Sequence, residues 1–423
     1  MTHKVVITGM GVLAPNAHGL TAYERALRDG VSGIRFIEKM AENKFACQVA
    51  GAPQGVETLA HDYLTDEDLL AMNQSMIYTA IAGIDCWRDA GLAEPSPDSE
   101  VDWDTGAIIG TGIGGMDTTA EKLIPKVNAG KVRRLGSTLV EQVMSSSVSA
   151  KLAGILGLGG QVTTNSSACT TGTEAVVNAF LHIREGRAKR MIAGGAEAAS
   201  HYIWSGFDAM RVLNRRSNDA PEKASRPMSA SAAGFIPGSG AGFLMLESLD
   251  SALQRGARIY AEVAGGYVNC GGHRGGGSMT APNPEGVIRC IQGALELARI
   301  APSEVDAING HLTATFADPK EIANWQNALG VSAADFPLIN STKSMVGHGL
   351  GAAGGLECVA ATLQLYHGFI HGSLNCEDLH PEIASIESSV VQKTRPFDGH
   401  IIAKSSFGFG DVNGCVLLKK WQD

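Results

Sequence analysis

The strongest constraint on this chain is the alternation of short apolar runs with amphipathic stretches, each change marked by glycine. Runs at 5–12, 106–110, 191–194, 259–267, 307–309, 338–340, 401–405 and 414–419 read as strands, and 74–91, 171–184, 284–298 and 354–367 carry helical spacing. The 52 glycines punctuate these elements, as tight turns between strands and helices require. Strands separated by helices define an α/β chain. A weak internal repeat is present. Glu100-Val101-Asp102 precedes a strand and a Gly/Thr-rich turn at 110–114, and Glu304-Val305-Asp306 precedes a strand and a turn at 310–315. Matches this short also arise by chance, so duplication stays open on this ground alone. The join falls near 248–258, where 248–255 looks helical and Ile259 begins a new strand, dividing the 423 residues into 1–250 and 251–423.

Composition removes several function classes. Hydrophobic residues make up 44% of the chain, enough for a large core. A net charge of −9, with no basic run interleaved with aromatics, argues against a nucleic acid partner. No window reaches the roughly 18 to 20 apolar residues of a membrane span. Met1 to Lys4 lead directly into the first apolar run, without the long apolar core of a signal peptide. The eight cysteines are scattered and form no CxxC pair, which argues against a zinc site and a disulfide framework. The glycines at 110–115 superficially suggest a dinucleotide loop, but no acidic ribose partner is convincing. A reduced cytoplasmic protein with no metal and no bound cofactor is the simplest reading.

Cys169, in Asn165-Ser166-Ser167-Ala168-Cys169-Thr170-Thr171-Gly172-Thr173, opens the helix that carries Ala175, Val176, Val177, Phe180 and Ile183. Free backbone N–H groups and the helix dipole there favour a thiolate, and one amide can bind the oxyanion of an attacked thioester. The alternative is a buried structural thiol, which is the reading for the other seven cysteines. His311 and His348 each sit in a Gly/Thr-rich turn after a strand, where active-site groups gather. The other ten histidines read as ordinary hydrogen-bonding residues. The segment Ser405-Ser406-Phe407-Gly408-Phe409-Gly410-Asp411-Val412-Asn413-Gly414 lets backbone approach a ligand closely, or is an ordinary glycine-rich turn.

Together these segments, with Val5-Val6-Ile7-Thr8-Gly9, Ala193-Gly194-Gly195-Ala196-Glu197, Ser225-Arg226-Pro227 and Gly238-Ser239-Gly240-Ala241-Gly242, resemble the elongating β-ketoacyl-acyl-carrier-protein synthases of the thiolase-like superfamily. The resemblance covers nearly the whole chain. It implies an α/β thiolase-like fold of two duplicated halves forming a five-layered α-β-α-β-α core, the first half carrying the cysteine and the second the histidines and lysine. It implies decarboxylative condensation of an acyl group on Cys169 with a malonyl thioester, in fatty-acid, polyene or polyketide-type biosynthesis. His311 and His348 would serve the enolate, and the amides of Cys169 and Phe409 the oxyanion. Lys343 would be held by Glu321, and Glu321 and Asp318 would be the supporting carboxylates. Thr313 and Thr315 would meet the phosphopantetheine arm, Phe409 would gate the nucleophile, and Ile113 would line the acyl tunnel. The phosphopantetheine would arrive on an acyl carrier protein. The chain would work as a homodimer, or as a heterodimer with a related subunit.

The resemblance breaks at named places. Leu312 stands where the family has glycine, and the interval from His311 to Asp318 is one residue short. Ala232-Ala233 replace a charged pair. Glu67 and Asp68 replace basic residues expected to dock the carrier, leaving Arg211, Arg215, Arg216, Lys131, Arg133 and Arg134 as docking candidates. Two other readings remain: a coenzyme A-dependent thiolase with Cys415 as second cysteine, and a non-catalytic chain-length factor.

Overall fold

The computed structural model describes residues 2–96 and 98–422. The first half builds a sheet from β1 (Val5–Ala14), β2 (Thr105–Gly110), β3 (Val162–Thr163), β4 (Arg190–Glu197) and β5 (Gly240–Ser248). The second builds one from β6 (Ala261–Cys270), β7 (Ala307–Asn309), β8 (Leu338–Asn340), β9 (Ile401–Gly408) and β10 (Val412–Lys420). The first sheet runs β3-β2-β4-β5-β1 and the second β8-β7-β9-β10-β6. Renumbered within each half, these are the same order with the same pattern of parallel and antiparallel neighbours. The duplication hinted at by the repeat is therefore real. Antiparallel pairing of Val5 to Ile7 with Ala261 to Val263 joins the two sheets at one edge.

Helices complete the layers. On the outer face of the first sheet lie α1 (Gln74–Asp89) and α2 (Ser147–Leu156), and on that of the second α4 (Pro284–Ala298) and α5 (Asp318–Leu329). Between the sheets lie α3 (Thr171–Arg184) and α6 (Ala353–His367), each touching strands of both. The result is a five-layered α-β-α-β-α sandwich. A middle-layer helix must be apolar or small on every side, and residues 353–365 of α6 are all buried. The one long strand absent from the sequence reading is β5. Its Gly-Ser-Gly-Ala-Gly approach looks like a turn, yet it pairs with both β1 and β4.

The middle helices meet through backbone. A β-carbon built on Gly172 of α3 would lie 2.6 Å from the Gly355 nitrogen of α6, and one on Gly355 would lie 2.1 Å from the Gly242 oxygen of β5. No rotamer change relieves such a clash, so the layers would have to separate. Gly355→Ala should lower the unfolding free energy by about 3 kcal/mol or more, or prevent folding, whereas Gly206→Ala, with open space around its site, should stay within about 1 kcal/mol of wild type in urea denaturation.

Candidate active site

Cys169 sits in a 3-10 turn, Ala168–Thr170, that leads into α3. Ala168 holds φ 51°, a left-handed conformation that costs about 1–2 kcal/mol for a residue with a β-carbon. The turn is tied on both sides. The Ser167 N–H donates to Thr171 Oγ1 at 2.8 Å, Thr170 Oγ1 donates to the Val412 carbonyl at 3.0 Å, and Thr173 Oγ1 lies 2.8 Å from Ser406 Oγ. Gly408 packs against the turn so closely that a β-carbon there would come within 3.1 Å of the Cys169 nitrogen. The backbone N–H groups of Cys169 and Phe409 both act to lower the thiol's proton affinity.

The thiolate expected from the sequence is not the resting state. Burial pushes the Cys169 thiol up to about 11, outweighing the nearby Lys343 and the two amides that pull it down. The helix terminus is real, but desolvation exceeds its pull.

His311 follows β7, and its loop is built on two buried carboxylates at the start of α5. The His311 and Leu312 N–H groups donate to the two oxygens of Glu321 at 2.6 and 2.7 Å, and those of Thr313 and Ala314 donate to Asp318 at 2.9 and 3.1 Å. Leu312 and Ala314 have φ of 23° and 64°. Leu312, which stands where the family has glycine, turns inward and is fully buried in the core of the second half. Burying a leucine is worth about 1.5–3 kcal/mol, which offsets the backbone strain. Burial raises Glu321 to about 7 and Asp318 to about 6 against their amide donors.

His348 follows the one-turn helix Lys343–Val346 and is clamped by backbone: its N–H donates to the Ile236 carbonyl and its carbonyl accepts from the Gly238 N–H, both at 2.7 Å. Its Nδ1 accepts from the Leu350 N–H at 3.2 Å, which leaves the ring proton of the neutral form on Nε2. The Cys169 sulfur and one ring nitrogen from each of His311 and His348 all lie within 4.8 Å of one another. The two imidazoles meet edge to face at 5.3 Å. Burial holds both well below the ordinary histidine range, and Lys343 and Lys404 add to it, so both are neutral.

Lys343 is fully buried, but its partner is Glu357 on α6, not Glu321. Glu321 is already committed to two backbone amides. Glu357 also ion-pairs with Lys404 on β9 at 2.7 Å. Sequence reasoning missed Glu357, Lys404 and Glu197. The available signal was a charged residue inside an otherwise apolar element, as in Gly354-Gly355-Leu356-Glu357-Cys358-Val359. Glu197, at the end of β4, accepts from the Gly112 and Gly351 N–H groups at 2.9 and 3.0 Å and pins two loops beside the cysteine.

Thr313 and Thr315 are half-buried with hydroxyl oxygens 3.1 Å apart, and Thr315 borders a 140 Å³ cavity shared with Met228, Ser229, Phe316 and His380. Phe409 is half-buried, its ring 6.1 Å from Phe207, which reaches Phe235 and through it His348. Ile113 is 38% exposed on the single chain. Arg211, Arg215, Arg216, Lys131, Arg133 and Arg134 are all exposed. Asp68 serves a capping box with Thr65 and pairs with Lys151 at 2.9 Å. Near Ala232-Ala233, Arg226 pairs with Glu377 and Asp378, and Asp378 accepts from Ser229 and Ser231. Cys415 is fully buried in the core of β10, which removes it as a second reacting thiol.

A strained turn presents a cysteine at a helix N-terminus, faced by two neutral histidines and a buried lysine, an arrangement with the parts that covalent nucleophilic catalysis uses. Residues 2–252 match the family described as beta-ketoacyl synthase, N-terminal domain, and residues 260–377 match its C-terminal domain. The chain belongs to the β-ketoacyl synthase family. It is 36% identical to the chloroplastic 3-oxoacyl-[acyl-carrier-protein] synthase I of Arabidopsis thaliana, over 99% of this chain and 87% of that one. It superposes with a TM-score of 0.89 on the ishigamide ketosynthase/chain length factor, at 29% identity with both chains fully covered. A type II polyketide ketosynthase bound to its acyl-carrier protein gives 0.88 at 27% identity, again with full coverage.

The raised Glu321 carboxyl predicts a pH dependence. A group whose folded value lies above its unfolded one contributes stability that is full below the unfolded value and is lost as pH rises through the folded one. Glu321→Gln cannot titrate. The stability advantage of wild type over this variant should therefore shrink between about pH 5 and about pH 8 in parallel urea titrations; an advantage that grows with pH would show that the amide donors outweigh burial.

Proposed function

We propose that this chain is a β-ketoacyl-acyl-carrier-protein synthase, joining an acyl group held on Cys169 to malonyl carrier protein with loss of carbon dioxide. The observation that carries the reading is the convergence of Cys169, His311 and His348 within 4.8 Å in a buried site backed by Lys343. The first half, 1–250, supplies the nucleophile, and the second, 251–423, the histidines and lysine.

In the first half-reaction the Cys169 sulfur attacks the thioester carbonyl, and the oxyanion takes hydrogen bonds from the N–H groups of Cys169 and Phe409. Collapse expels the phosphopantetheine thiol of the carrier, which leaves with the proton. In the second, malonyl thioester loses its carboxylate as carbon dioxide, and the electron pair moves onto the thioester oxygen as an enolate. Neutral imidazoles suit this step because each offers an N–H without presenting a full charge to the carboxylate. Nε2–H of His348 is fixed for this by the Leu350 bond. The enolate carbon then attacks the acyl-cysteine carbonyl, the same amide pair receives the oxyanion, and its collapse releases Cys169 as the thiolate, which takes a proton from solvent to regenerate the resting thiol. Lys343 acts through its charge, and Thr313 and Thr315 sit where the arm would pass.

The carrier supplies phosphopantetheine, and Arg211, Arg215 and Arg216 are its favoured docking residues because they follow the helix His201–Ala209 that places Phe207 against Phe409. The exposed apolar residues Ile113, Ile124, Val127, Val132, Val140 and Met144, all within one stretch of the chain, support pairing with a second ketosynthase-like chain, identical or related. Among the described residues no helix is long and apolar enough to cross a membrane.

Intact-mass analysis tests the reading. Wild type incubated with acyl carrier protein should gain one acyl group, and Cys169→Ala should gain none. His311→Ala and His348→Ala should still acylate but release carbon dioxide from malonyl carrier at least about a hundredfold more slowly. Acylation without any condensation by wild type alone would favour a partner-dependent subunit. Charge reversal at Arg211, Arg215 and Arg216 should weaken carrier binding by about tenfold or more at low salt; unchanged binding would move docking to the Lys131, Arg133 and Arg134 cluster.

A further inference from the structure

Two buried lysines share one buried glutamate behind the reacting cysteine. Lys343, from the turn before His348, holds one oxygen of Glu357, and Lys404, from β9, holds the other at 2.7 Å. All three side chains are at most 2% exposed. Lys404 also donates to Ser406 Oγ at 2.8 Å and to the Ser405 carbonyl. Ser406 Oγ lies 2.8 Å from Thr173 Oγ1, two residues into α3. Ser405 Oγ donates to Glu321, the carboxylate that anchors the His311 loop.

Lys404 thus stands at the centre of a polar chain joining the cysteine helix, the histidine loop and α6. The charge count matters as much. Counted at their ordinary charges, two ammonium groups face one carboxylate and the triad is net positive, with burial and the neighbouring Lys404 working against the charge on Lys343. Burying a second cation beside a pair that is already neutral costs free energy, and it needs a compensating use. The chemistry in front of the triad develops negative charge twice, on sulfur and oxygen in acyl transfer and on the enolate in condensation. Burial comes first and Lys343 second in keeping His311 and His348 neutral, and Lys404 lies near enough to both to add to that effect.

We propose that Lys404 is a positioning residue of this site: it fixes the carboxylate on which Lys343 rests and supplies the surplus positive charge that stabilises anions at Cys169. The inference rests on the synthase reading for its catalytic meaning, but its physical content concerns the thiol and is testable without substrate.

The test uses two variants that separate charge from packing. Lys404→Met keeps the volume and removes the charge. Lys404→Ala removes both and leaves a hole lined by a carboxylate, a hydroxyl and a carbonyl, into which ammonium ion fits. The readout is the iodoacetamide alkylation rate of Cys169, followed on its own peptide by mass spectrometry, with carbon dioxide release from malonyl carrier as a second measure. Both variants should alkylate roughly three- to tenfold more slowly than wild type, and ammonium chloride should restore the Ala variant but not the Met variant. Sodium chloride at equal ionic strength is the control. Alkylation of the Met variant within twofold of wild type, or equal response of both variants to ammonium, overturns the proposal. If only the Ala variant slows and ammonium leaves it slow, Lys404 is packing alone. Wild type that alkylates at Cys169 but forms no acyl-enzyme and releases no carbon dioxide would sink the synthase reading and leave the Lys404 result standing.

Discussion

Everything in the site depends on how closely the two middle helices approach. α3 and α6 meet backbone to backbone at Gly172 and Gly355, and that contact sets the distance between the turn holding Cys169 and the turn holding His348. It also turns Glu357, one turn into α6, toward Lys343 and Lys404. Because both helices are packed from above and below by sheets, neither can shift without repacking a whole layer. A buried middle layer thus converts a local glycine contact into a rigid spacing between reacting groups.

Around this centre the carboxylates divide their work. Glu197, Asp318 and Glu321 accept from backbone amides and hold loops, and Glu357 alone pairs with lysines. The loop-holding acids sustain conformations that the chain would not choose unaided, including Leu312 and Ala314 at positive φ. At Leu312 the cost in backbone strain is met by burying the side chain in the second core.

Much of the fold was legible because its elements obey local rules. Pro284 after Asn283 opens α4 as N1 and N-cap residues do, and the strands 307–309 and 338–340 stand out as short apolar runs between turns. β5 was not legible, since an uninterrupted apolar run after a glycine-rich turn has no period that separates a buried strand from other buried structure. In the site, Cys169, His311 and His348 announced themselves by their turns, and the structure brings all three together. The partner of Lys343 did not, because the choice between Glu321 and Glu357 depends on which way two helices face after packing. Lys404 was hidden for a related reason: a lysine in a strand ordinarily points to solvent, and only the doubled sheet puts this one inside.

The duplication reaches the nucleophile turn itself. Ala168 begins a 3-10 turn at φ 51° before α3, and Leu350 begins one at φ 50° before α6, so each half carries an elbow of the same shape. The position matching Cys169 in the second elbow is Gly351, whose N–H is bound by Glu197 and whose missing side chain would press against the Gly112 nitrogen at 2.5 Å. The scaffold offers two seats for a nucleophile and occupies one; the vacant seat has become a wall of the occupied one, which makes the asymmetry of the chemistry a property of a nearly symmetric frame.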